Sequence, residues 1–288
     1  MSILPFVAAG IGLGAVYAMS GVGLVVLYRS SGTLNFAFGA LGAAAAYCTW
    51  SLLRADVAPV LAWTAGIAVA AAGSFAYGRL IAPRLAGRDR VVRAVGTLGF
   101  ALFLLGGIGL IWGETIPRRL TLPTDHFFVY IFTIRVNYTR LTTLGIAGAM
   151  VATIGLLLHF TRLGLSMRAL ANDRHLSSLI GIRVIRIDSM AWLISGVFAG
   201  VAGLLLADLV ALNAVFLTFL VIPAIAAAIF GRLRSLAATA AGGFAAGIVE
   251  SVLSMVPALS SYRSSAPFVL ALIFIALAAG PRTMAEYK

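Results

Sequence analysis

"MRALANDRHLSSLIGIRVIRIDSMAWLISGVFAGVAGLLLA", residues 167–207, joins two kinds of chain that belong in different solvents. Its first 22 residues hold Arg168, Arg174, Arg183, Arg186, Asp173 and Asp188, whereas 189–207 carries no charge. An apolar run of about 20 residues has the length that crosses a bilayer as a helix. Charges at the bilayer centre are costly. The stretch therefore reads as a loop outside the membrane that feeds directly into a spanning helix.

Outward from it the same alternation repeats. The 288-residue chain is 61% hydrophobic and 10% charged, and its mean hydropathy is +1.05. A soluble domain is about half apolar and about a quarter charged. Apolar windows lie near 4–28, 34–53, 57–82, 94–113, 141–160, 191–210, 214–230, 237–256 and 266–280. Segment 34–53 follows the polar "SSGTLN", and 214–230 is short and contains Pro223, so either is a candidate broken or re-entrant piece. Backbone of that kind survives at membrane depth only inside protein or beside a wet cavity. The reading is an all-α, polytopic transmembrane helical bundle of eight or nine spans. The gaps are too short for a separate soluble core, so 1–288 forms one domain with a charged loop at 161–190. The opening "MSILPFVAAGIGLGAVYAM" lacks a basic n-region and a cleavage site and reads as a retained first helix.

The net charge of +12 needs no nucleic acid, because the inner loops of membrane proteins collect basic residues. With nine spans and the N-terminus outside, fifteen basic residues fall inside and six outside. That bias predicts an N-out, C-in chain, which makes 161–190 cytoplasmic. The outer loop 114–140 alternates as "HFFVYIFTIRVNY" and predicts a hairpin.

Several chemistries are excluded. The only Lys is Lys288, so neither a P-loop nor an intramembrane Schiff base has its Lys. If ATP and Mg drive this protein, other chains bind them. His126, His159 and His175 come without a zinc or Ser-His motif. No catalytic residue, metal ligand or cofactor is expected on this chain. Cys48 is single and lies in an apolar run, as a packing residue would.

Within the charged loop a short helix is drawn by its ends. Asn172 or Asp173 suits an N-cap, and Gly181 suits the residue just past the C-terminus. Leu176, Leu179 and Ile180 share one face, Met167 and Leu170 continue apolar character upstream, and Arg174, His175 and Ser177 fall elsewhere. Such a helix lies in the membrane interface or fills a groove on a partner. The residues alone favour the interface.

The same run resembles the cytoplasmic coupling loop of permeases from branched-chain amino acid ABC importers, with a pattern near R-A-x-A-x-[DN]-x-x-x-A-x-x-x-G-I. It matches at Arg168, Ala169, Ala171, Asp173, Gly181 and Ile182. "GLGAVYAMSGVGLVVLYRSSGTLNFAFGALGAAAAY" is similar to the N-terminal hallmark of that family at Gly14, Tyr17, Ala18, Gly23, Tyr28, Gly32, Asn35, Phe36, Ala37 and Gly39. Phe38 stands for the usual His and Ala40 for the usual Glu. The stretch from "IAAAIFGRLRSLAATAAGGFAAGIVESV" onward also fits, with Arg232, Arg234 and Ala237 replacing the common Gly, Gly and Pro. The resemblance implies a permease subunit of an ATP-driven importer in a bacterial inner membrane. Its implied partners are a second permease, two ATP-binding subunits, an extracytoplasmic substrate-binding protein and membrane lipid. Arg168, Ala169, Ala171, Asp173, Leu176, Leu179 and Gly181 would then couple to the ATPase, and Tyr17, Asn35, Phe36, Phe38 and Glu250 are candidates for the translocation path. A stand-alone secondary transporter or channel remains the alternative.

Two polar residues in apolar surroundings carry competing readings. Asn35 is either a cap or interhelical bond or a polar break in the path. Glu250 is a partner of an outer Arg such as Arg263, a protonated hydrogen bonder, or a pathway acid. The pairs Gly10/Gly14, Gly196/Gly200 and Gly243/Gly247 predict close helix approach inside the bundle rather than between subunits.

Overall fold

The computed structural model describes residues 4–113, 118–120, 128–131, 134–256 and 265–278. His126, Arg263, Arg282 and Lys288 lie outside the described residues. The chain runs through α1 (Leu4–Ser31), α2 (Phe38–Arg54), α3 (Pro59–Ala76), a π-helical turn at Tyr77–Ile81, α4 (Ala82–Leu85) and α5 (Arg90–Trp112). After β1 (Phe128–Ile131) and β2 (Ile134–Asn137) come α6 (Tyr138–Phe160), α7 (Arg162–Asn172), α8 (Arg174–Leu179) and α9 (Val184–Leu209). The last elements are α10 (Ala214–Thr218), α11 (Val221–Phe230), α12 (Leu236–Leu253) and α13 (Ala266–Ala278).

Six described stretches are long and apolar enough to cross a membrane: Pro5–Ser31, Pro59–Leu85, Arg90–Trp112, Tyr138–Phe160, Val184–Leu209 and Leu236–Leu253. The expectation of eight or nine spans also counted α2, the broken pair α10–α11 and α13, which are shorter. Segment 34–53 resolves into a regular α2 preceded by non-helical backbone at 32–35. Segment 214–230 is broken ahead of Pro223, where α10 ends and α11 starts. Helix α9 begins seven residues before the sequence window, which draws Arg186 and Asp188 into its first turns. The strands pair antiparallel, Val129 opposite Val136 and Tyr130 opposite Arg135.

Helix α1 is apolar all round, which is the composition of a buried helix; 89% of its spanning window is buried. It is wrapped by α12, α9, α11 and α6. Its contact with α12 is a matter of small residues. A Cβ on Gly10 would lie 2.7 Å from Ile248 Cα, and one on Gly14 2.8 Å from Phe244 Cα. Gly243 and Gly247 face Ala18 and Gly14 in return. Without side chains between them the backbones approach closely, and dispersion contacts hold them where lipid supplies no hydrophobic drive. Gly196 and Gly200 do the same for α9 against Ser74, Ala70 and Ile67 of α3. All these glycine contacts fall inside the bundle.

On the periphery the chemistry inverts. Leu102, Phe103, Leu110 and Ile111 of α5 stand exposed, an apolar surface that suits lipid and that a water-facing helix would cover. One backbone feature stands out at the α11–α12 turn. Arg232 and Leu233 are consecutive residues with φ of +51° and +56°. Each costs on the order of 1–3 kcal/mol for a non-glycine side chain.

Candidate functional site

The charged loop folds as two short helices. Thr161 starts α7, its Oγ1 accepting from Gly164 N at 3.2 Å. Helix α7 turns Met167 and Leu170 inward, where both are buried; they therefore do not extend the face of α8, as a single amphipathic stripe would. Asp173 ends α7 and caps α8, Oδ1 accepting from Leu176 N at 2.9 Å. Helix α8 closes with Gly181 at φ +88°. There Gly181 N donates to Ser178 O and Ile182 N to Ser177 O, both at 3.1 Å. This is the Schellman arrangement, in which a left-handed residue after the helix satisfies its last carbonyls.

A clamp fixes α8 to the spanning helices. Arg174 donates to Asp188 on α9, Nη2 to Oδ2 at 2.5 Å and Nη1 to Oδ1 at 3.4 Å. Nη1 also donates to Ser30 O at the C-terminus of α1, 2.5 Å away. The ends of α1, α8 and α9 are thereby tied through one guanidinium, whose planar fork suits such multipoint bonding. Ser177 is buried on the inner side of α8. On the other side Leu176, Leu179 and Ile180 are 58%, 69% and 70% exposed. Three large aliphatic side chains on a capped, anchored helix outside the apolar spans form an exposed apolar surface. Arg168 and Ala171 are exposed beside it and Ala169 is half-buried.

Tyr17 and Glu250, separated by 233 positions, meet in the interior: Tyr17 Oη donates to Glu250 Oε2 at 2.8 Å. Two cavities adjoin this pair, of about 540 Å³ and about 310 Å³, and Tyr17, Glu250 and Phe216 line both. The larger reaches from Pro5 near the start of α1 to Tyr17, close to its midpoint, and includes Arg140. At roughly 1.5 Å per residue, this spans about 18 Å of helix. The sequence reading counted Arg140 as a loop residue; α6 begins earlier than the apolar window and brings it to the cavity wall.

Asn35, Phe36 and Phe38 lie apart from that pair, at the break between α1 and α2. Asn35 is buried. Its Oδ1 accepts from Ala37 N at 3.0 Å, whereas its Nδ2 is buried without a partner among the described residues. Thr97 of α5 seals the break, its Oγ1 lying 3.1 Å from both Phe36 N and Leu34 O. Phe38 is fully buried near Gly23 and Phe198. No cluster of three or more His, Cys, Asp or Glu suited to a metal occurs among the described residues.

A family profile described as branched-chain amino acid transport system, permease component, matches residues 6–278. This chain belongs to that family. It is thus a transport subunit and not an enzyme. Over 287 residues it is 25% identical to the high-affinity branched-chain amino acid transport system permease protein LivH of Escherichia coli K12, covering 92% of this chain and 90% of that one. Permease protein BraD of Pseudomonas aeruginosa is 24% identical, with 84% and 83% covered. A probable LivH of Methanocaldococcus jannaschii is 27% identical, with 81% and 75% covered. A chain of the solved PsaBC from Streptococcus pneumoniae in complex with Fab shares the fold at a TM-score of 0.52, with 15% identity and 96% and 91% covered.

Proposed function

We propose that this chain is the permease subunit of an ATP-driven importer of branched-chain or related amino acids in a bacterial inner membrane. Its full complex would hold a second permease, two ATP-binding subunits that carry ATP and Mg, and an extracytoplasmic binding protein. The observation that carries this reading is α8: capped at both ends, clamped to α1 and α9, and exposing Leu176, Leu179 and Ile180. A helix that merely lay on lipid would need no rigid tie to the bundle core.

Counting α2, α10–α11 and α13 as crossings gives nine, and the basic-residue bias favours N-out and C-in. The cavity beside Tyr17 and Glu250 then opens outward and ends near mid-membrane, where transporters of many folds bind their solutes. Tyr17 and Glu250 are the path residues this geometry favours; Asn35, Phe36 and Phe38 belong to the break at the opposite end. Mechanism follows from the clamp. Closure of the ATPase dimer moves α8, and Arg174 passes that displacement to α1 and α9, so the bundle switches the side to which its cavity opens. Coupling needs a free-energy difference between the two states, not a pathway of contacts alone.

The test is reconstitution of the chain with its ATPase, second permease and binding protein in liposomes. Leucine uptake should require ATP on the side of the ATPase. Uptake by this chain alone, driven by an ion gradient, would establish the secondary-transporter alternative instead.

A further inference from the structure

A cavity of about 830 Å³ lies at the end of the bundle that carries α8, beside the C-terminus of α1. Arg29, Arg90, Arg93, Arg168, Arg174 and Arg234 line it, and no described Asp or Glu shares its walls. Two of the six are engaged. Arg174 holds Asp188 and Ser30 O. Arg93 donates to Ser31 O at 3.0 Å, yet its Nε is buried without an acceptor among the described residues. The side chains of Arg29, Arg90, Arg168 and Arg234 make no hydrogen bond or ion pair with another described residue.

The ordinary account of inner-side arginines is topological, and such side chains normally spread into water. These converge. They come from α1, α5, the α7–α8 segment and the α11–α12 turn, and they crowd like charge around one space. Arg234 follows directly on Arg232 and Leu233, the two residues held in left-handed backbone. Strain of this kind persists where surrounding structure or function requires it. Neither the strain nor the crowding favours the folded chain on its own, and a bound counter-anion would offset the crowding.

We propose that this cavity binds a phosphate-bearing anion. Guanidinium forks match phosphate oxygens in two-point hydrogen bonds, and basic pockets between spanning helices take anionic headgroups at the cytoplasmic face. The shared chemistry has two sources: a soluble phosphate or pyrophosphate, or the phosphodiesters of an inner-leaflet lipid such as cardiolipin. Because Arg168 and Arg174 belong to the coupling loop, an occupant fastens that loop to α1, α5 and the α11–α12 turn. Placing the cavity on the cytoplasmic side rests on the orientation proposed above; the site itself does not.

The assembled complex in phosphatidylcholine nanodiscs provides the test. Pyrophosphate, titrated at constant ionic strength, should raise Tm by several degrees more than chloride does, as binding to the native state must. Nanodiscs of increasing cardiolipin content form the second arm. A pyrophosphate response that cardiolipin abolishes assigns the site to the headgroup, and one that cardiolipin leaves intact assigns it to the soluble anion. The Arg29→Gln/Arg90→Gln/Arg234→Gln variant, which spares the α8 clamp, should lose both responses. Arg234→Gln alone, on an exposed turn, should weaken anion affinity several-fold and serves if the triple variant does not assemble. The proposal fails if neither anion shifts the native complex, or if the variants respond as the native complex does. It also fails if the triple variant loses its ATP-binding chain while the native complex ignores both anions, because the arginines would then face an acidic protein surface. Labelling that reversed the topology would move the site to the outer face without abolishing the pyrophosphate response.

Discussion

Replacing Gly181 with Val separates backbone strain from every other cause of failure. A Cβ at Gly181 would meet no described residue within 4 Å, so the first side-chain carbon adds no clash. The cost lies in φ, which at +88° is about 1–3 kcal/mol for a side chain, with β-branched residues least tolerated. If the backbone relaxes instead, the two terminal hydrogen bonds from Gly181 N and Ile182 N are lost. Helix α8 has six residues, too few to form without its caps and anchors. A penalty of about 2 kcal/mol lowers the population of formed α8 roughly 30-fold, at about 1.4 kcal/mol per decade. Hydrogen exchange in the purified complex should show lost protection at Ser177, Ile180 and Ile182, with α1 and α9 unchanged. Gly181→Asn should stay near the native level, because Asn tolerates the left-handed region. Equal protection in Gly181→Val and Gly181→Asn would refute the role given to φ.

Other expectations concern the path and the topology. Tyr17→Phe deletes the hydroxyl that donates to Glu250; weakening a buried bond of this kind costs about 1–3 kcal/mol, and uptake in proteoliposomes should fall severalfold with assembly intact. Unchanged uptake would make the pair structural. Asn35→Leu removes the bond to Ala37 N and puts an apolar side chain of similar size in its place; the complex should assemble and transport poorly, and full transport would confine Asn35 to shaping the turn. In a Cys48→Ser background, Ser178→Cys should react only with membrane-permeant reagents and Arg119→Cys with impermeant ones from outside. The reverse labelling would invert the topology.

Local chemistry was legible in the sequence, and long-range geometry was not. The ends of α8 could be drawn because capping involves neighbours: Asp173 reaches Leu176 N, and Gly181 closes on Ser178. The outward face of Leu176, Leu179 and Ile180 follows from helical spacing. Met167 and Leu170 read only as apolar character upstream of that face, because nothing marks 161–172 as a helix except Thr161, a serviceable cap; once α7 forms, its own rotation turns them inward. The meeting of Tyr17 with Glu250 depends on α1 lying antiparallel to α12, and no local pattern encodes it. The small-residue pairs hinted at close helices without saying which. The arginine cavity was equally hidden, since its members were counted as inner-side charge one by one.

The most direct measurement of the central claim is substrate-stimulated ATP hydrolysis by a complex carrying Leu176→Asp. Leu176 is more than half exposed in this chain, so the substitution should alter its own stability by no more than about 0.5 kcal/mol. Docked in an apolar groove, the same carboxylate would be buried without a partner, a penalty of several kcal/mol. The account predicts normal insertion, loss of the ATP-binding chain on purification, and hydrolysis that no longer responds to the loaded binding protein. Retention of both the partner and the stimulated hydrolysis would contradict it.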